Sequence, residues 1–173
     1  MGNYIGHTSE EERHQLLIDH LKGTSLLAER FASVFDAPEW GRMAGLYHDI
    51  GKYSAAFQRR ILEDGPRVDH STAGALLMKK IKNVPLALCI ASHHSGLLDM
   101  GTKFSDVTDG TLMGRLKKEL KGKLDYSAYR QELPEPVPIR KAPAFLYGKD
   151  QFYHSFFIRM LFSCLVDADF LDT

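Results

Sequence analysis

Apolar residues recur at helical spacing along nearly all of the 173-residue chain, and this pattern limits the fold more than any other feature. Between Gln15 and Phe35 they follow one another at intervals of three, four or seven residues, which places them on one face of a helix. The alternation that marks strands never persists. The sequence therefore predicts an all-α bundle.

Glycine and proline divide this pattern into separate helices. Pro38 can open a helix that closes near His48-Asp49 before Gly51, because proline suits a first turn and glycine a last one. Further helices are predicted over Tyr53–Leu62, from a cap at Asp69 or Ser71 to about Lys82, from Pro85 through His93 and His94, and over Gln151–Leu171. The last is apolar nearly all round, which predicts a central buried helix.

Two stretches depart from the helical pattern. Gly96 to Gly110 is typical of a loop, and Leu133 to Ala144 carries four prolines, which predicts an extended segment outside the bundle. Thr111 to Gly122, between them, is predicted to be a short basic helix. Its basic residues, which either guide a DNA backbone or form an ordinary solvated face, are Arg115, Lys117, Lys118 and Lys121.

Charge and cysteine content exclude several classes of protein. Lys plus Arg and Asp plus Glu each number 22, so no global basic field favours non-specific nucleic-acid binding. Cys89 and Cys164 lie inside apolar runs and are predicted to be small buried side chains, not a disulfide framework. No apolar run has the length needed to span a bilayer, and the first residues lack a signal-peptide core. We expect a cytoplasmic protein without membrane contact.

Several histidines and one aspartate fall on apolar helix faces. His20 follows Leu17 by three residues, His93 follows Ile90 by three, and Asp167 follows Cys164 by three. A buried carboxylate requires a partner, because an unpaired buried charge is very costly, and a metal ion is one such partner. Each residue alone has a simpler explanation, as a hydrogen-bonded core histidine or a polar link between helices.

Taken together, the candidate residues favour a metal site. All of them are imidazole or carboxylate side chains, the ligands that hold zinc, iron, manganese, cobalt or nickel. They are too many for one tetrahedral ion and suit two ions that share a carboxylate. The set is His20, His48, Asp49, His70, His93, His94 and Asp167.

Four sequence segments around these residues resemble those of a known family. His48-Asp49-Ile50-Gly51-Lys52 matches the motif that names the HD phosphohydrolase superfamily. Four segments, taken in their order along the chain, resemble the HD nuclease domain of the CRISPR-associated helicase-nuclease of type I systems. They are Leu46–Ser54, Asp69–Ala75, Ala91–Leu97 and Leu165–Thr173. The adjacent His93-His94 pair is the most discriminating element, because one-metal HD nucleotidases do not need it.

The resemblance implies one HD domain over residues 1–173, with two divalent transition-metal ions (Mn, Fe, Ni, Co or Zn) between its core helices. The first ion would use His20, His48, Asp49 and Asp167, and the second His70, His93 and His94, with Asp49 bridging both. Asp49 and Lys52 are the implied catalytic residues. Lys52 would meet charge developing on a phosphate, or else remain a solvated side chain near a helix end.

The implied activity is that of a metal-dependent deoxyribonuclease, exo- or endonucleolytic, which cleaves single-stranded DNA in CRISPR interference, an antiviral defence. No Walker A loop occurs in the chain. A helicase is therefore expected as a separate subunit or as another part of a longer chain, and the CRISPR surveillance complex as a partner. Two alternatives remain: an HD nucleotide phosphohydrolase or nucleotidase, and a non-catalytic, metal-stabilised module that docks a partner.

Overall fold

The computed structural model describes residues 3–8, 14–118 and 125–173, and most of these residues are helical. The α-helices are α1 (Leu17–Ser33), α2 (Pro38–Tyr47), α3 (Ala55–Glu63), α4 (Ser71–Lys80), α5 (Val84–Ser92), α6 (Leu112–Arg115) and α7 (Gln151–Asp172). Short 3-10 helices cover Ile50–Tyr53, Ser127–Gln131 and Ala144–Leu146. The predicted helical bundle is confirmed.

Close packing of α1 against α2 sets the geometry of the bundle. A Cβ atom at Gly41 would lie 2.1 Å from the carbonyl oxygen of Ala28, and one at Gly45 would lie 2.6 Å from Cα of Ser25. Glycine at both positions therefore allows the two helices to run antiparallel with their backbones almost in contact. The residues that follow Gly45 are carried in this way to the first turn of α1, where His20 lies.

Helix boundaries follow the local signals for the most part. Pro38 occupies the first turn of α2, and the Asn83 side chain accepts a hydrogen bond from Leu86 N at the start of α5. At the start of α4, Asp69 accepts from Thr72 N, so Asp69 supplies the capping side chain. Helix α5 ends at Ser92, which places His93 and His94 just after the helix instead of on it.

The sequence does not predict the small antiparallel sheet at the N-terminus. Strands β1 (Ile5–Thr8) and β2 (His14–Leu16) pair Ile5 with Leu16 and His7 with Gln15, with an irregularity between Ile5 and His7. We call these two strands the N-terminal sheet. Because β2 runs directly into α1, the helix begins at Leu17, two residues later than predicted.

The prediction that the last helix is buried all round is wrong. Helix α7 packs on one side of the bundle, against α1, α2 and α5, so only one stripe of it is covered. The buried stripe comprises Phe157, Leu161, Cys164, Leu165 and Ala168, whereas Phe152, Tyr153, Phe156, Phe170 and Leu171 are exposed. High apolar content does not by itself show which faces of a helix find partners.

The two irregular stretches are extended or loop-like, as predicted. The proline-rich segment runs along α2, where Tyr47 Oη donates to the carbonyl of Pro134 over 2.9 Å. The predicted basic helix is shorter than expected, since α6 ends at Arg115, and Lys121 lies outside the described residues.

Cys89 and Cys164 are free and buried, as the sequence predicts. Within the described ranges, no helix combines the length and the apolar character that crossing a bilayer requires.

Candidate metal centre

Side chains on or directly beside five helices meet at one point in the bundle. His20 comes from α1 and Asp169 from the last turns of α7. The others come from residues that flank helices: His48 and Asp49 directly after α2, His70 directly before α4, and His93 and His94 directly after α5. Of the predicted metal ligands, only Asp167 lies elsewhere.

Asp49 is the centre of this cluster, and its carboxylate is fully buried. Oδ2 lies 3.4 Å from Nε2 of His48 and 3.8 Å from Nε2 of His20. Oδ1 lies 3.2 Å from Nε2 of His93 and 3.5 Å from Nε2 of His70. Each oxygen of this single carboxylate therefore faces a different pair of imidazoles.

The first group consists of His20, His48 and Asp169 beside Oδ2 of Asp49. Oδ1 of Asp169 lies 3.2 Å from Nε2 of His20 and 3.3 Å from Nε2 of His48, and these two nitrogens are 3.3 Å apart. Metal–ligand bonds of about 2.0–2.2 Å place neighbouring donor atoms on one ion about 3.0–3.6 Å apart. The three distances among His20, His48 and Asp169 fit a single transition-metal ion, and Oδ2 of Asp49, 3.8 Å from Nε2 of His20, lies just outside this range.

The second group consists of His70, His93 and His94 beside Oδ1 of Asp49. With Asp49, these residues offer donor atoms that all lie within 4.8 Å of one another. Nε2 of His70 and Nε2 of His94 are 2.7 Å apart. A Cβ at Gly51 would lie 2.2 Å from the carbonyl oxygen of His70, so this glycine permits the close approach of His70 to the turn after Asp49.

The four histidines around Asp49 are all oriented in the same way. Each has Nδ1 within hydrogen-bond distance of an oxygen atom, which leaves Nε2 directed at the cluster. The Nδ1 partners are Asp172 Oδ2 for His20 (2.9 Å), Gly45 O for His48 (2.7 Å), Val68 O for His70 (3.1 Å) and Ile90 O for His93 (2.7 Å). In a neutral imidazole such a bond fixes the Nδ1–H tautomer, which places the lone pair at Nε2, the atom that would bind a metal ion.

The centre contains buried polar atoms and ionised groups close to one another. Neither oxygen of Asp49 nor Nε2 of His93 has a hydrogen bond of regular geometry within the described chain. Burial alone would lower the pKa of His48, but Asp49 and Asp169 outweigh it and raise that pKa to about 10. Burial likewise opposes ionisation of Asp49, yet Lys52 and the surrounding imidazoles hold its pKa well below the usual value. Buried polar atoms of this kind fit a divalent cation.

The assignment of Asp167 to the first group is wrong, because Asp169 occupies that place. The Asp167 side chain is exposed. At 3.6 residues per turn the two aspartates are roughly 200° apart around the helix, on opposite flanks of the buried stripe of α7. The flank that carries Asp169 faces His20 and His48, and the flank that carries Asp167 faces solvent.

Lys52 is buried, so the view of it as a solvated side chain is wrong. Its Nζ lies 2.7 Å from Oδ2 of Asp49 and donates hydrogen bonds to Gly6 O and to Nε2 of His7, each over 3.0 Å. The ammonium group is thus surrounded by groups of the protein, next to the carboxylate at the centre. Its contact with a substrate phosphate stays a prediction.

Sequence reasoning missed three residues at this site. Besides Asp169, they are His7 of β1, whose Nε2 lies 3.4 Å from Nε2 of His20, and Asp172 at the end of α7, which contacts Nδ1 of His20. No periodic pattern surrounds His7. The two aspartates could have been suspected, because a largely apolar predicted helix carries three carboxylates in its last part, between positions 167 and 172.

The basic residues near α6 are engaged within the protein. Arg115 donates to Ser71 Oγ and to the carbonyl of Ala91, beside the second group. Lys117 donates to carbonyl oxygens of the preceding loop, and Lys118 forms an ion pair with Asp69 over 2.7 Å. These contacts favour a structural role for the segment over a free basic strip.

Comparison with known sequences gives a family assignment. A sequence model of the HD domain family matches residues 17–139, which is more than half of the chain and includes the central aspartate. A search of the curated proteins finds no match.

Proposed function

The chain belongs to the HD domain family, whose members are metal-dependent hydrolases, and from this premise we propose that it is a two-ion nuclease. In this proposal it hydrolyses phosphodiester bonds of single-stranded DNA in CRISPR interference. The observation that carries the proposal is the position of Asp49, whose two oxygens face separate groups of imidazole nitrogens. This is the arrangement that a carboxylate bridging two ions requires.

The first ion would be held by His20, His48, Asp169 and Oδ2 of Asp49. The second ion would be held by His70, His93, His94 and Oδ1 of the same Asp49. Two bound divalent ions would supply Lewis acidity at a phosphate oxygen and a water of lowered pKa.

The protein's own residues prepare this chemistry in two ways. Hydrogen bonds at Nδ1 aim the imidazole Nε2 atoms inward, so little reorganisation of the side chains is needed when a cation arrives. Lys52 keeps Asp49 ionised and fixed in place from its buried position. In this account Lys52 positions the central carboxylate, and its direct contact with phosphate is the part still to be tested.

The openness of the centre favours a polymer over a mononucleotide. His94 is exposed, and His70 and Asp169 are partly exposed, so one side of the cluster faces solvent. Cavities of about 510 Å³ and about 1000 Å³ lie elsewhere on the described surface, and none of the cluster residues lines either of them. A nucleotidase would need an enclosed site for the base beside the ions.

Single-stranded DNA is favoured because a flexible strand can bring its backbone to the open edge, whereas a stiff duplex must first be bent or unwound. The net charge of zero and the engaged lysines near α6 give little general attraction for DNA. We therefore propose that a helicase, with the CRISPR surveillance complex, delivers the strand. This partnership rests on the resemblance of the four sequence segments to the CRISPR-associated nuclease domain.

The test is a parallel digestion of single-stranded DNA, duplex DNA and a panel of mononucleotides with added Mn²⁺, Ni²⁺ or Co²⁺. We expect sequence-tolerant cleavage of the single strand, little cleavage of the duplex, complete inhibition by EDTA and no effect of ATP. Asp167→Asn, a change at an exposed carboxylate two residues from Asp169, is the matched control and should cleave like the wild type. Asp169→Asn should not.

Two outcomes would contradict the proposal. Rapid hydrolysis of mononucleotides with the single strand left intact would identify a nucleotide phosphohydrolase. Bound metal with no hydrolysis of any of these substrates would favour a non-catalytic module that docks a partner.

A further inference from the structure

The N-terminal sheet holds His7 against the first group. Strand β2 leads into α1, so β1, its partner, lies beside the turn that carries His20. On its other side, β1 is fixed by Gln58 of α3, which accepts from Ile5 N over 2.9 Å and donates to Ile5 O over 3.0 Å. The rings of His7 and His20 meet edge to face, with centroids 4.4 Å apart.

The contacts of His7 and His20 determine which of their ring atoms face each other. Lysine can only donate, so the contact between Lys52 Nζ and Nε2 of His7 requires an unprotonated Nε2 on His7. Nδ1 of His20 lies 2.9 Å from Oδ2 of Asp172, so Nε2 is the ring atom of His20 that is directed at His7. The Nε2 atoms of His7 and His20 face each other at a distance of 3.4 Å.

The separation of these two nitrogens matches that of two ligands on one ion, whose bonds of about 2.0–2.1 Å place neighbouring nitrogens about 3.0–3.5 Å apart. His7, His20, Asp49 and Asp169 also offer donor atoms that all lie within 4.8 Å of one another. A shared cation accounts for both observations.

We propose that His7 is a further protein ligand of the ion at the first group, so that the N-terminal sheet forms one wall of the metal centre. The inference rests on the proposed function, because it assumes an ion at that group. The lone pair that His7 would offer is the one that Lys52 occupies here, and Lys52 also lies against Oδ2 of Asp49. An ion at the first group would therefore take the Nε2 lone pair of His7 from Lys52, whose contact with Oδ2 of Asp49 can persist beside the ion.

The test measures Co²⁺ binding directly, without any activity assay. Wild type, His7→Ala and His7→Phe are titrated with Co²⁺ while the visible absorption of the bound ion is recorded, and bound metal is counted by mass spectrometry after desalting. His14→Ala is the matched control, since His14 lies in the same sheet, is exposed and contacts Thr8 instead of the cluster. Circular dichroism of the metal-free proteins verifies the fold.

We expect both His7 variants to weaken one of two Co²⁺ binding steps by about ten- to a hundredfold. Absorption per bound ion should rise, because cobalt absorbs more strongly with fewer ligands. His7→Phe retains a ring against His20, so it separates loss of the nitrogen from loss of packing if His7→Ala fails to fold. Wild-type affinity and spectra in the folded His7 variants would overturn this inference alone, whereas a wild type that binds no Co²⁺ would overturn the proposed function as well.

Discussion

The two groups that flank Asp49 are built differently. In the first group, the imidazoles of His20 and His48 are completely buried, and His20 and Asp169 lie on the two long helices α1 and α7. In the second group, His94 is exposed, and all three histidines lie just outside helices. The first group therefore resembles a preformed ion site, while the second has the accessibility that a substrate needs.

The supports behind the two groups differ as well. Asp172 accepts a hydrogen bond from His20 and is itself held by Gln15 Nε2 at 2.9 Å, so a charged side chain orients His20, while the carbonyl of Gly45 orients His48. In the second group, His70 and His93 are oriented by backbone carbonyls, and Arg115 joins the segments that carry them. We expect the first ion to be held more tightly than the second.

The largest effect is expected at the residue that the two groups share. Asp49→Asn should lose both ions and at least about a thousandfold in cleavage rate, since the ions supply several kcal/mol of transition-state stabilisation. The amide has the shape of the carboxylate and can donate to the imidazoles, so the helical fold should persist. Elemental analysis after desalting measures the loss, and full occupancy in this variant would exclude the bridging assignment.

Removal of one imidazole from each group separates the two sites. His93→Ala should empty the second site and leave the first occupied, and His20→Ala should do the reverse. Each should reduce cleavage about a hundredfold or more, because both ions are needed to clamp the phosphate. Isothermal titration with Mn²⁺ should show a single binding step in each variant, and loss of both steps in His93→Ala would mean that the groups do not bind independently.

Removal of the side chain that orients His20 should have a smaller effect. Asp172→Ala removes the acceptor that orients His20, and changes of this kind weaken metal affinity by about ten- to a hundredfold. Asp172→Asn retains an acceptor oxygen and should recover part of that loss. Competition with a fluorescent chelator measures the affinity, and equal behaviour of the two variants would contradict an orienting role.

The smallest effect is expected from removal of the Arg115 side chain, which links two segments next to the second group. Arg115→Ala removes the bonds to Ser71 Oγ and Ala91 O, which hold the segments next to His70 and His93. Because Arg115 acts through the backbone, we expect less than about a tenfold loss of affinity at the second site alone. Mn²⁺ titration measures this loss, and a weakened first site would contradict the separation of the two groups.

The fold could be predicted where local chemistry determines it. Proline and glycine mark the limits of α2 and α3, and apolar spacing identifies α1. The N-terminal sheet could not be predicted, because strands of three and four residues are too short for an alternating pattern. Their pairing also depends on contacts with Gln58, which is distant in sequence.

The candidate site was predicted wherever a motif names its residues, as with His48 and Asp49. Asp167 and Asp169 could not be told apart, since both flank the buried stripe of α7 and only the packing of that helix decides which flank faces His20. His7 depends on the sheet that was missed. Tertiary packing decides which of these residues complete the site, and residue type and spacing alone do not reveal that packing.

The central claim is that Asp49 joins two ion sites, and anomalous diffraction from crystals soaked in Mn²⁺ tests it most directly. The account predicts two anomalous peaks, one beside Oδ2 among His20, His48 and Asp169, and one beside Oδ1 among His70, His93 and His94. A single peak that contacts both oxygens of Asp49, or peaks that lie away from this carboxylate, would contradict the account.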